Sequence, residues 1–299
     1  MSNTLSPAVA AGRVDAHQHF WQRARGDYDW LRDTDAALAP LLRDFMPDDL
    51  APVLARHAIG QTVLVQAAPT VAETEFLLDI AERDSRVGAV VGWVDLAHAQ
   101  GARTLERLAA RPALRSIRPM LQDLPDAQWI ATAPDPRNVG VMLALGLRLD
   151  ALVRPQHLAA LHRFARDWPT LPVVIDHAAK PPLHLAWNSA PMTAWRDGMA
   201  ALAALPQVCC KLSGLVTELP KQATGSPASI AMALQPVRDA LLHWFGPSRL
   251  MWGSDWPVLH LASSFDDWVA ASDLLLVELS PSERANVLHG TARRFYGLD

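Results

Sequence analysis

Cysteine is almost absent from this 299-residue chain: the only two, Cys209 and Cys210, are adjacent. Neighbours on a strand point to opposite faces, which does not suit a disulfide, so a reducing compartment is expected. No stretch of about 20 apolar residues could span a bilayer, and the first dozen residues lack the basic flank and apolar core of a signal peptide. The expected location is the cytoplasm. Basic residues are scattered singly, with 27 Lys and Arg against 31 Asp and Glu for a formal net charge of -4. With no basic stripe or block, neither nucleic acid nor an anionic membrane is an expected partner. Neither GxGxxG nor GxxxxGK[ST] occurs, so a nucleotide cofactor has little support. Gly/Ser-rich linkers and low-complexity tracts are missing too, which predicts one domain over 13–299 behind a short tail, 1–12.

What is present is a large apolar fraction, 50% hydrophobic against 19% charged, enough for a sizeable core. Short β-type runs alternate with amphipathic stretches, the pattern of βα units and a parallel sheet. Eight strands are expected, over Arg13–Phe20, Gln61–Ala67, Val87–Asp95, Leu114–Leu121, Leu147–Val153, Leu171–Ala178, Val208–Gly214 and Arg249–Asp255. Helix candidates between them include Asp48–Ala58, Val71–Arg83, Pro155–Trp168, Trp195–Leu205 and Pro236–Phe245. Eight such units in roughly 250 residues predict an α/β fold, a (β/α)8 TIM barrel. The loops after the first and sixth strands, 21–43 and 180–192, are long and rich in Trp, Asp and Pro, as functional loops often are.

Barrel enzymes build their sites at the C-terminal ends of the strands. There the first strand ends in Asp15-Ala16-His17-Gln18-His19, whose alternation puts a carboxylate and both imidazoles on one face. An HxH pair alone is often satisfied within a core; it also suits chelation of a metal or polarisation of a carbonyl. The second strand ends in Gln66, the fourth carries Arg118 and is followed by Gln122, and the sixth ends in Asp176-His177. The seventh carries Lys211 and the eighth ends in Gly253-Ser254-Asp255-Trp256-Pro257. Coincidence of so many polar residues at one rim favours an active site.

The ordered set VDAHQHFW, GAVVGWVDL, SIRPMLQD, IDHAAKP, CKLSGLVTE and MWGSDWPV resembles the amidohydrolase superfamily, in particular its lactonase-rich branch, from about Arg13 to Tyr296. The resemblance implies a barrel that hydrolyses a lactone, with His17, His19, His177 and Asp255 matching the family's central residues. Lactone hydrolysis needs a polarised carbonyl, an activated water and a proton for the leaving alkoxide. Asp255 can take the proton and return it. The three histidines can hold one divalent ion, zinc, together with Asp255, or donate to the oxyanion without any metal; both options stay open. A binuclear centre fits less well, because Arg118 stands on the fourth strand where binuclear relatives carry a bridging carboxylate or carboxylated lysine.

Arg118 can clamp a carboxylate or a sugar hydroxyl, or serve a structural ion pair beneath the rim. Lys211 is expected to meet substrate, and Lys180 to shape the rim. Of the 11 tryptophans, Trp21, Trp30, Trp93, Trp129 and Trp256 fall on or beside the rim, where Trp30, Trp93 and Trp256 are candidate walls for a sugar ring, with Gln66 and Gln122 as polar contacts. Trp168, Trp244 and Trp268 read as core. The balance of donors and acceptors leans toward an aldonolactone of the L-fucono, L-galactono or D-arabinono type. The alternatives are a muconolactone such as 4-sulfomuconolactone, or metal-dependent decarboxylation. The expected partner is a small-molecule lactone; the sequence leaves the oligomeric state open.

Overall fold

The computed structural model describes residues 12–298, so the tail expected over 1–12 lies outside the described residues except for Gly12. Eight strands, β1 (Arg13–Gln18), β2 (Ile59–Val65), β3 (Val87–Gly92), β4 (Leu114–Ile117), β5 (Arg148–Ala151), β6 (Val173–Ile175), β7 (Val208–Leu212) and β8 (Leu250–Trp252), form one sheet in chain order. Every neighbouring pair is parallel. The sheet closes where Gln18 bridges Trp256 in parallel. There the His19 N–H donates to the Trp256 carbonyl at 2.7 Å and the Asp255 N–H to the His17 carbonyl at 2.8 Å. The protein is a single-domain (β/α)8 barrel.

The helices are α1 (Pro47–Arg56), α2 (Val71–Arg83), α3 (Gly101–Ala109), α4 (Trp129–Thr132), α5 (Pro136–Ala144), α6 (Leu158–Asp167), α7 (Ala190–Ala203), α8 (Pro227–Phe245), α9 (Phe265–Leu275), α10 (Pro281–Ala285) and α11 (Thr291–Tyr296). Helix α8 begins nine residues before the expected Pro236, and that proline lies inside it. Its start is set by Ser226, whose hydroxyl accepts from the Ser229 N–H at 3.2 Å, followed by Pro227 at the first helical position, where no N–H is needed. No helix among the described residues is long and apolar enough to cross a membrane.

Alternation along the strands divides the core in two. Leu64, Val90, Leu149, Ile175, Cys210, Leu212 and Trp252 face the helices and join the large layer between sheet and helical ring. Val63, Val65, Ala89, Val91, Val174 and Met251 form an inner cluster with Ala292, Phe295 and Tyr296 of α11. Helix α11 thus closes the barrel at the N-terminal ends of the strands, where Arg148, the first residue of β5, donates to the Phe295 carbonyl at 2.7 Å. Cys209 packs on the inner cluster and Cys210 in the outer layer, both as free thiols, as the alternation requires. With its base filled, the barrel leaves the opposite rim free for a site.

Candidate active site

At the C-terminal rim His17, His19, His177 and Asp255 meet. His17 Nε2 lies 3.2 Å from His19 Nε2. The Asp255 Oδ1 stands 3.3 Å from His19 Nε2 and 3.7 Å from Nε2 of both His17 and His177. All four side chains are buried. Burial lowers the pKa of His17 well below the usual imidazole value and that of His177 to about 4. Burial alone would raise Asp255, but the surrounding histidines, His177 foremost, outweigh it and hold the carboxyl below the usual carboxylate range. At neutral pH the site therefore carries a carboxylate beside neutral imidazoles at His17 and His177.

Two backbone features aim these groups. His177, Ala178, Ala179 and Lys180 form a left-handed turn after β6, with φ of 53°, 49°, 58° and 50°, and Asp255 has φ of 59°. Left-handed backbone costs a non-glycine residue about 1–3 kcal/mol, so the turn must be held from outside. The Trp195 indole does so by donating to the Ala178 carbonyl at 2.7 Å. The His177 ring rests against Gly214, where a Cβ would stand 2.3 Å from Nδ1, and Nδ1 pairs with the Ser213 hydroxyl at 2.9 Å. Gly253 gives way to His17 in the same manner.

Asp15 does not join the imidazoles. Its carboxylate accepts from the Ser254 N–H at 2.8 Å, the Ser254 hydroxyl at 2.5 Å and the His17 N–H at 3.1 Å. It therefore ties β1 to the segment carrying Asp255. Full burial raises its pKa to about 6.

The donor chemistry suits a metal. His17, His19 and Asp255 offer ligand atoms that lie within 4.8 Å of one another. His19 Nδ1 is 2.8 Å from the Val65 carbonyl, which can only accept, so Nδ1 carries the hydrogen and Nε2 keeps its lone pair. His17 has two neighbours that select opposite tautomers. The Lys211 ammonium, 3.1 Å from Nδ1, can only donate to it, whereas Asp176 Oδ1, 3.4 Å from Nδ1, can only accept. The tautomer that bonds to Asp176 frees His17 Nε2 as a ligand.

Lys211, expected to meet substrate, is fully buried and paired with carboxylates. The inward face it shares with Cys209 points into the barrel beneath His17, where Asp150 at 2.6 Å and Asp176 at 3.0 Å capture the fully buried amine. Asp150 also accepts from the Ser116 hydroxyl and the Tyr296 hydroxyl, each at 2.6 Å. Gln66 is buried too, its amide donating to the Arg118 carbonyl at 2.8 Å. Trp256 is 2% exposed and packs edge-on to Phe20 and Phe45.

Above the four central residues lies a cavity of about 260 Å³ lined by His19, Trp30, Arg118, Gln122, His177, Lys180 and Asp255 among others. Trp30 is fixed by donating from its indole to the Ala67 carbonyl at 2.8 Å. Arg118 pairs with the Gln66 carbonyl and, at 3.4 Å, with Asp176, which leaves its buried Nε without a partner; Gln122 Oε1 is likewise unpartnered. Both are polar groups a ligand could satisfy. Lys180, expected at the rim, lines this cavity, and burial lowers its pKa. Trp93 lines a separate, adjoining chamber. The sequence reading does not single out Asp150, Tyr296 or Ser213; the one cue for Asp150 is a carboxylate flanked by the apolar Leu149 and Ala151 in its strand.

Residues 14–298 match the family described as Amidohydrolase. An L-fucono-1,5-lactonase of Burkholderia ambifaria is 47% identical over 291 residues, spanning 96% of this chain and 96% of that one. An L-fucono-1,5-lactonase of Burkholderia multivorans is 39% identical over 295 residues, spanning 97% of each. The crystal structure of an amidohydrolase from Burkholderia multivorans with bound zinc superposes with a TM-score of 0.86 at 39% identity, covering 97% of this chain and all of that one.

Proposed function

This chain belongs to the amidohydrolase family, and from that premise we propose that it hydrolyses a small sugar lactone, an aldonolactone such as L-fucono-1,5-lactone. It is a hydrolase of the lactone ester bond. The reading is supported by near full-length identity of 47% and 39% to two L-fucono-1,5-lactonases. The observation that carries the chemistry is the buried, ionised Asp255 among imidazoles lining a cavity at the rim.

Asp255 Oδ1 accepts a proton from the attacking water. As water oxygen bonds to the carbonyl carbon and the ring C–O bond breaks, Asp255 returns that proton to the leaving ring oxygen, giving the open hydroxy acid. The Arg118 guanidinium and the Lys180 amine line the cavity and supply positive charge for the developing oxyanion. Trp30 offers a flat wall to the ring. His17, His19 and Asp255, with His177 beside them, are the residues that would hold one divalent ion, zinc as in the Burkholderia multivorans structure. Such an ion supplies Lewis-acid polarisation of the carbonyl and a more acidic water. We place the reaction in carbohydrate catabolism and in the cytoplasm, where Cys209 and Cys210 stay reduced.

Hydrolysis of a panel of sugar and muconate lactones, followed with a pH indicator with and without a chelator, tests this directly. Turnover of aldonolactones that is lost on chelation and restored by zinc is expected. Silence across the sugar lactones would sink the reading.

A further inference from the structure

Next to the catalytic cavity is a larger chamber of about 470 Å³. The two share Trp30, Met120 and Asp123 as wall residues, so they adjoin across these side chains, beside the space over Asp255. Resting on the lactonase reading, we propose that this outer chamber is a second sugar subsite, and that the preferred substrates are lactones of oxidised disaccharides bearing an uncharged pendant ring.

Its walls are what a sugar ring needs. Trp93 follows β3, Trp129 opens α4, and Trp30 lines both chambers with its indole anchored on the Ala67 carbonyl, so three indoles border one space. The polar groups are carboxylates. Asp95 uses Oδ1 to accept from the Ala97 N–H at 2.9 Å, which leaves Oδ2 for a ligand. Asp123 holds only a long 3.4 Å contact from the Gln122 amide, and Asp29 is exposed at the mouth. Carboxylates accept hydrogen bonds from hydroxyls and repel anions. Among the described residues no lysine, arginine or histidine lines the chamber. The inner cavity, by contrast, carries Arg118 and Lys180. Cations are thus confined to the inner cavity, where they stand with Asp123 and Asp255 and can meet negative charge that develops at the lactone, and the outer chamber suits a neutral, hydroxyl-rich group. The inner 260 Å³ is the space beside Asp255 for the lactone ring, and the outer chamber offers further room for a pendant group.

The test compares three lactones with the same aldonolactone ring: the parent, one bearing a neutral glycosyl group, and one whose pendant ring carries a carboxylate. The neutral disaccharide lactone is expected to exceed the parent about tenfold in kcat/KM, chiefly through KM, and the carboxylated one to fall below the parent. Trp129→Ala and, separately, Asp95→Asn should bring the neutral disaccharide lactone down to the parent's level while parent turnover stays within twofold; that parent turnover reports the integrity of each variant. If the parent is hydrolysed and the neutral disaccharide lactone is no better, the subsite is refuted while the lactonase reading stands. An advantage that survives both substitutions refutes it too, because the ring is then bound elsewhere. If no lactone is hydrolysed, the lactonase reading fails and takes the subsite with it.

Discussion

Lys211 Nζ lies 3.1 Å from His17 Nδ1, inside the barrel and out of contact with solvent. The same amine binds Asp150 and Asp176, and Asp150 is held in turn by the Tyr296 hydroxyl from α11. A chain of polar contacts therefore runs from the C-terminal helix, through the barrel axis, to a histidine of the site.

Removing one partner of a buried ion pair leaves the other uncompensated, at a cost of about 3–5 kcal/mol. Lys211→Met strands two buried carboxylates and is expected to lose that much stability in urea denaturation. Tyr296→Phe removes one hydrogen bond and should cost about 1 kcal/mol. A loss below about 1 kcal/mol for Lys211→Met would show that the network contributes little.

Asp176 Oδ1, 3.4 Å from His17 Nδ1, is the neighbour that would select the ligating tautomer of His17 over the one that accepts from Lys211. Partners that orient a ligand in this way typically change metal affinity by about 10–100-fold. Asp176→Asn should weaken zinc binding by that factor in competition with a chromophoric chelator. Unchanged affinity would mean that His17 binds no metal through Nε2.

Asp255→Asn keeps the shape of the site and removes the base. A positioned proton-transfer group contributes about 10²–10⁴-fold, and kcat should fall by that factor with KM little changed. Zinc content of the purified variant must be measured alongside, since Asp255 also belongs to the ligand set. Wild-type kcat in a zinc-loaded variant would remove Asp255 from the proton-transfer role.

The eight strands and the polar rim at their ends were legible in the sequence because both depend on local patterns, whereas the grouping of His17, His19, His177 and Asp255 as the central set came from motifs that resemble a known family. The exact strand ends were less legible. Val87–Asp95 was expected where β3 stops at Gly92, because the residues beyond leave the hydrogen-bond ladder to build the rim. The placement of Lys211 was not legible at all. Its reading turned on which way a strand face points, and the faces of β5 and β6 that supply Asp150 and Asp176 are brought opposite it only by barrel closure. Tyr296 lies 146 residues from the aspartate it contacts, a distance no local pattern bridges.

Gly214 has φ of +60° and a missing Cβ where the His177 ring sits, 2.3 Å away. Alanine there is strained in its own backbone and also collides with the ring. Gly214→Ala is expected to lower activity by more than tenfold and stability by about 1–3 kcal/mol. Gly225, with nothing within 4 Å of where a Cβ would stand, is the control, and Gly225→Ala should be close to neutral. Equal behaviour of the two variants would show that the ring has room to move.

Two buried groups in the site tie stability to pH with opposite signs, and each can be isolated by subtracting a variant from the wild type in chelated protein. His177 titrates near 4 in the fold against an ordinary 6.5, so between these values the unfolded chain binds a proton that the native state refuses. Its contribution is present above pH 6.5 and is lost as pH falls toward 4. Asp15 titrates near 6 against an ordinary 3.8, so over that range the native state keeps a proton that the unfolded chain has released, and its contribution is lost as pH rises. One proton corresponds to about 1.4 kcal/mol per pH unit. From pH 6.5 to 4.5 the stability advantage of wild type over His177→Gln should shrink as pH falls, whereas that over Asp15→Asn should grow, each with a slope up to that value. Denaturant titrations at four pH values give both slopes. Slopes of the same sign would mean that the burial of one of these groups does not govern its proton.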